Sequence, residues 1–223
     1  MFRRRSNSHH DHESNEVYVE SKHEVAVDGE NGKLYRANFY DKHGRTVIIV
    51  RPGLESTESM ENRLRFVVYH LENAMLNLQP GQEQMTWLME FTGWSLTSVP
   101  IKLAREIIFT LQNHYPERLA IMFLYNPPRV FEAFWKIVKY FMDAKTFEKV
   151  KFVYPKNKDS VELMKCYFDD ENLPKEFGGK STMKYNHEEF SRLMVQDDLK
   201  SAAFWGSETQ VAPNPDCNGA TSF

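Results

Sequence analysis

The chain has 223 residues, of which 41% are hydrophobic and 13% aromatic, and a formal net charge of −3 at pH 7. That length suits one domain with a full core plus tails, and the faintly acidic balance argues against binding nucleic acid by bulk electrostatics. No apolar run reaches the length of a membrane span, no apolar signal core opens the chain, and two cysteines are too few for a disulfide framework, so the expectation is a soluble cytoplasmic protein that meets membranes only peripherally.

Residues 1–24 are polar, charged and without periodicity, and read as a disordered tail. Arg3-Arg4-Arg5 within it fits a solvated terminal cluster better than a nuclear or anionic-membrane address. His9, His10 and His12 have no second ligand cluster to complete a metal site. The folded part, expected over residues 25–186, opens with a hairpin. Leu34–Tyr40 and Thr46–Arg51 flank Asp41-Lys42-His43-Gly44, where Asp caps a turn and Gly supplies positive φ. Ser56 or Thr57 then caps a helix whose apolar residues Met60, Leu64, Val67, Val68, Leu71, Met75 and Leu78 follow the 3.6-residue period. After Gly81, Met85–Phe91 reads as a buried strand, and Ser98 with Pro100 begins a second helix bearing Ile101, Ala104, Ile107, Ile108 and Leu111 on one face.

Tyr115-Pro116 breaks that helix, and Arg118–Tyr125 is a central strand emptying through Asn126-Pro127-Pro128 into the segment Arg129–Met142. Val150–Tyr154 is a further strand, Ser160–Phe168 a helix, and Leu173-Pro174-Lys175-Glu176-Phe177-Gly178-Gly179 a turn-rich closure. Asn186 with Glu189 forms a capping box for a last helix, residues 187–206, and 207–223 read as a loose tail. Strands separated by helices of this length imply an α/β domain with a mainly parallel sheet flanked by helices. There are no internal repeats.

Signatures of catalysis fail one after another. The chain has no Gly-x-Gly-x-x-Gly, phosphate loop, Gly-x-Ser-x-Gly elbow or His-Glu-x-x-His. Gly93-Trp94-Ser95 lacks the closing x-Gly of an elbow and reads as a strand-end turn. His114 at a helix end suits the C-terminal carbonyls better than general-base duty. Cys166, beside Lys165 but no other basic activator, reads as a structural thiol. The expectation is therefore a binding protein, with no enzymatic activity, cofactor or metal.

The segment Arg129–Met142 is the most informative. Val130, Phe131, Phe134, Trp135, Ile137, Val138, Phe141 and Met142 give it an apolar face wider than an ordinary core stripe, leaving Glu132, Lys136 and Lys139 as the polar remainder. Periodicity alone leaves two readings open: a helix buried on most sides, or a gate that covers a pocket and at other times meets a membrane.

An ordered series of motifs carries a resemblance. It runs Asp41-x-x-Gly44-Arg45-x-Val47; Trp87-Leu88-Met89-Glu90-Phe91-x-Gly93; Leu111-Gln112-x-x-Tyr115-Pro116-Glu117-Arg118; Asn126-x-Pro128; Thr146-x-x-Lys149-Val150; and Leu173-Pro174-x-Glu176-Phe177-Gly178-Gly179. Over roughly residues 30–186 the chain resembles the CRAL-TRIO lipid-binding domain of the secretory phosphatidylinositol/phosphatidylcholine transfer proteins, particularly their short plant-type relatives. The resemblance implies a sheet whose concave face, closed by a mobile helix, encloses one lipid. The gate would be Arg129–Met142, with Val130, Phe131, Phe134, Trp135, Val138 and Phe141 lining the chain pocket. By the same resemblance, Glu117, Thr146 and Lys149 would hold the inositol phosphate of phosphatidylinositol: an acceptor for ring hydroxyls, a hydroxyl donor and a cation for the phosphate. Transient membrane surfaces would be the other partner; nothing in the chain sets the oligomeric state.

The chain departs from the family pattern in two ways. Glu90 stands where the strand motif usually carries Asp, and Phe91-Thr92-Gly93-Trp94-Ser95 differs in bulk, leaving Ser95 as the one candidate contact to a phosphatidylcholine headgroup. Family members also carry an N-terminal helical lobe before the hairpin, where this chain has only its short polar tail, so it reads as a truncated form. Other readings are a binding module for another hydrophobic ligand, which the intact Glu/Thr/Lys set disfavours, or a transfer-defective isoform with a regulatory role.

Overall fold

The computed structural model describes residues 31–54 and 58–208. The expected tail at 1–24, residues 209–223 of the tail expected at 207–223, Cys217, and the expected caps Ser56 and Thr57 lie outside these residues, while the last helix runs two residues past its expected end, to Glu208. Five strands form one sheet in the order β1-β2-β3-β4-β5, which is also their order in the chain: β1 Leu34–Tyr40, β2 Thr46–Val50, β3 Met85–Glu90, β4 Leu119–Tyr125 and β5 Val150–Val153. The β1–β2 pair is antiparallel and every later pair parallel, as the helical spacing requires.

Asp41 makes the hairpin turn. Its Oδ1 accepts from the backbone N–H of His43 and Arg45, both at 2.9 Å, Gly44 takes φ +74°, and Thr86 Oγ1 on β3 donates to Asp41 Oδ2 at 2.7 Å. One buried carboxylate thus sets the turn and ties it to the neighbouring strand.

Side-chain alternation divides the sheet into two faces. Leu88, Ile121, Phe123, Tyr125 and Val153 pack on one face with Met164, Phe168, Leu173 and Phe177. That face is covered by helix α5 (Lys158–Tyr167) and the short turn Lys175–Phe177. Ile48, Met85, Trp87, Met89, Met122 and Leu124 point the other way, beneath α1 (Met60–Leu76), α2 (Ile101–His114) and α3 (Phe131–Val138). A one-residue slip of any central strand would exchange these faces, so the parallel register is strongly fixed.

Helix α1 starts later than the sequence reading placed it: Ser59 is its cap, accepting from Asn62 N–H at 3.1 Å. Its buried side is also broader than the predicted stripe. Leu71 and Ala74 face the sheet, while His70 and Asn73 turn to α6 (His187–Glu208), where the His70 ring stacks on Phe190 at 5.5 Å. Asn186 Oδ1 accepts from Glu189 N–H at 3.1 Å, the cap expected for α6. Arg36 on β1 closes this side with an ion pair to buried Asp197 at 2.8 Å. Cys166 lies exposed on α5, contrary to its reading as a structural thiol.

The segment expected as one helix over Arg129–Met142 is shorter. It enters through tight bonds from Phe131 N–H to Pro128 O and from Glu132 N–H to Arg129 O, runs as α3, and ends in a 3-10 turn over Lys139–Phe141. The prolines lie ahead of the helix, where a missing N–H costs no helical bond, and the entry is a short run of i to i+3 bonds of the 3-10 kind.

Candidate functional site

Two adjoining cavities occupy the face beneath α1, α2 and α3. The larger, about 170 Å³, is walled by Trp87 and Met89 of β3, Met122 and Leu124 of β4, Leu103 and Ile108 of α2, and Phe131, Phe134, Trp135 and Val138 of α3. The second, about 130 Å³, opens where β4 begins and is rimmed by Glu117, Lys145, Thr146 and Lys149. Trp87, Ile108, Leu111, Met122 and Met142 line both, so an apolar partition separates a chain-like space from a polar mouth.

The three predicted headgroup residues come together at that mouth. Glu117 sits in the Tyr115–Arg118 turn at φ +59°, a left-handed conformation that few residues other than glycine adopt. Gln84 Nε2 donates to the Glu117 carbonyl at 3.2 Å, and the start of the turn is held through Tyr115, whose N–H donates to Leu111 O at 3.1 Å and whose hydroxyl donates to Glu72 of α1 at 2.5 Å. Burial, and then the Glu72 carboxylate, push the Tyr115 phenol well above its ordinary pKa, so it stays a donor. From this turn Glu117 reaches Lys149 Nζ at 3.1 Å and Lys145 Nζ at 3.7 Å. The hydrogen bond and charge of Lys149, and then the charge of Lys145, hold the Glu117 carboxyl below the usual carboxylate range.

Thr146 and Lys149 belong to α4 (Ala144–Glu148) and its C-cap. Asp143 caps this short helix, accepting from Thr146 N–H at 2.7 Å and from the Thr146 hydroxyl at 3.2 Å. Both charged partners of Glu117 therefore hang from one capped turn. The amide side chain of Gln112 on α2 fixes that turn to the end of the α3 segment: its Nε2 donates to Phe141 O at 3.3 Å, and its Oε1 accepts from Asp143 N–H at 2.8 Å. Sequence reading quoted Gln112 only as part of a motif and passed over Lys145 and Asp143.

Of the predicted chain-pocket residues, Phe131, Phe134, Trp135 and Val138 line the larger cavity. Phe141 packs against the same core without lining it. Val130 is 45% exposed, because the tight turn entering α3 points it outward. Ser95 is exposed and exchanges hydrogen bonds with the Thr97 and Ser98 hydroxyls, outside both cavities. No helix among the described residues is long and apolar enough to cross a membrane.

A parallel α/β sheet with an apolar hollow under its helices and a charged mouth at one end defines a class of ligand-enclosing domains. The sequence matches the CRAL/TRIO domain over residues 29–179, and the chain belongs to that family. Among its relatives are the phosphatidylinositol transfer protein PDR17 of Saccharomyces cerevisiae, 31% identical over 188 residues, and the SEC14 cytosolic factor of Candida glabrata, 31% identical over 166. These matches cover 81% and 66% of this chain but only 51% and 54% of the relatives, so the chain spans about half their length. The crystal structure of Sfh5 is similar over 72% of this chain and 58% of that one, with a TM-score of 0.55 and 19% identity, a likeness of fold.

Proposed function

We propose that this protein is a phospholipid carrier that sequesters one phosphatidylinositol molecule and exchanges it at membrane surfaces. The observation that carries this reading is the adjacency of the two cavities, an apolar hollow that shares a wall of side chains with a mouth bearing Glu117, Thr146 and Lys149. A diacyl lipid has on the order of 30 methylenes, and at about 0.8 kcal/mol each, exposing them to water costs roughly 24 kcal/mol. Only a dry hollow offsets a cost of that size, which is why the apolar wall makes the carrier. A charge-assisted phosphate contact contributes about 1.5–3 kcal/mol, enough to choose among headgroups but not to extract a lipid. In this reading α3 is the gate, Lys149 faces the phosphate, the Thr146 hydroxyl turns from Asp143 to donate to it, and Glu117 accepts from ring hydroxyls.

Phosphatidylcholine would be a second cargo; Ser95, the residue expected to meet its headgroup, lies outside both cavities, which favours phosphatidylinositol. The test is native mass spectrometry of protein purified from cells, paired with uptake of labelled phosphatidylinositol from vesicles. One bound phospholipid per chain and saturable uptake are expected; no bound lipid and no uptake sink the reading. Phe134→Asp, a carboxylate on the face of α3 that lines the hollow, is expected to abolish loading of either lipid.

A further inference from the structure

The turn leaving β3 is open to solvent, with Thr92, Gly93 and Ser95 exposed, yet Trp94 among them is only 6% exposed. Its indole turns inward and meets two residues of α3 edge to face, Phe131 at 5.1 Å and Phe134 at 5.4 Å, as well as Phe91 at 6.2 Å. The side chain therefore spans from the fixed end of the sheet to the first turns of α3. Its own backbone is held firmly. Trp94 N–H donates to Phe91 O at 3.0 Å, and Gly53 from the β2–α1 connection lies so close that a Cβ there would stand 2.1 Å from Thr92 O and 2.6 Å from Trp94 N.

Helix α3 is held differently at its two ends. No side chain caps its N-terminus, and its outer face leaves Ile137 half exposed. The polar clamp from Gln112 lies at the far end, beyond the 3-10 turn. At the N-terminal half the contacts are aromatic: Phe91 meets Phe131 at 4.7 Å and Phe152 meets Trp135 at 5.2 Å from the strands and strand ends below, while Trp94 alone among these reaches both Phe131 and Phe134, from a closely packed turn.

We propose that Trp94 is the lock of α3: it sets how readily the helix leaves the hollow, and so how fast a long-chain amphiphile enters and leaves. Edge-to-face pairs are short-ranged and hold only while both rings are seated, so they resist opening without adding charge or polarity to a space that must stay dry. The inference rests on the carrier reading for what passes the gate, but the lock itself is measurable without cargo.

The experiment is hydrogen–deuterium exchange on the full chain, comparing wild type with Trp94→Ala and Trp94→Phe. Loss of two aromatic pairs is expected to speed exchange of the α3 amides in Trp94→Ala on the order of 10–100-fold. Amides of β3 and β4 should not change, and Trp94→Phe should stay near wild type. Should Trp94→Ala not fold, Trp94→Leu, which keeps bulk without a ring, carries the same comparison. Unchanged α3 exchange overturns the proposal, as does acceleration that rises equally in α3, β3 and β4, since Trp94 would then be an ordinary core residue. Uptake of labelled phosphatidylinositol, measured beside it, should quicken by a similar factor. If wild type takes up no lipid, the carrier reading fails while the exchange comparison still decides the lock.

Discussion

Replacing Lys149 by Ala separates headgroup choice from folding. Lys149 Nζ lies 3.1 Å from Glu117, and its side chain is 23% exposed while that of Glu117 is 64% exposed. An ion pair with so much solvent on one partner contributes little to stability, so the thermal midpoint should move by no more than about 3 °C. Binding is another matter. A phosphate brought to the mouth would lose its nearest cation, a contact of about 1.5–3 kcal/mol, which is roughly a 10–150-fold weaker affinity. Lys145 is too exposed, at 83%, to replace it fully. Vesicle-transfer assays with labelled phosphatidylinositol and phosphatidylcholine, with circular dichroism as the folding control, should show the first falling by at least tenfold and the second much less. Equal loss of both lipids, or none, would refute the assignment of Lys149 to an inositol phosphate.

His70 is buried between Phe66 and Phe190, with Nδ1 2.8 Å from Phe66 O, and burial lowers its pKa to about 4 from an ordinary 6.5. The unfolded chain then binds a proton between pH 6.5 and 4 that the folded chain refuses; stability is intact above that window and falls through it by up to about 3 kcal/mol. Urea unfolding at several pH values should show this slope, and His70→Leu should flatten it. Gln112→Leu removes both hydrogen bonds that join the α3 segment to the Asp143 cap and should cost about 1–2 kcal/mol, with amide exchange rising at residues 139–146 and little change in β4. Gly53→Ala drives a methyl into Thr92 O and Trp94 N; it should cost more than about 2 kcal/mol by denaturant unfolding and loosen α3 as Trp94→Ala does.

The strands were legible because each carries an apolar run bounded by turn residues, and the hairpin because Asp41 and Gly44 have local jobs that a sequence displays. The grouping of Glu117, Thr146 and Lys149 was legible only through resemblance, since Glu117 and Lys149 stand 32 positions apart and nothing in either residue announces the other. Three Ser/Thr residues precede α1, so the choice of cap depended on which backbone turned first, and Ser59 won. Val130 fits the apolar period of its segment, but the chain enters α3 through a tight turn that a period measured along an ideal helix cannot register. Trp94 was hidden by its company: between Gly93 and Ser95 it looks like part of a surface loop, and only the close approach of Gly53, some forty residues earlier, explains why it points in. Gln112 likewise bonds backbone groups about thirty positions away, which no local pattern encodes.

Strand order that follows chain order has a further consequence. Between Tyr115 and Lys149 the chain lays down the Glu117 turn, the inner strand β4, the helix over the hollow, and the capped turn bearing Thr146 and Lys149, with nothing interposed. The proposed choice of headgroup and the cover over the tails are thus one uninterrupted cassette, anchored to its surroundings by Glu72, Gln112 and the indole of Trp94. A graft of those residues would carry the mouth and the cover together, while the ease of opening stayed behind in the host with the residue at position 94.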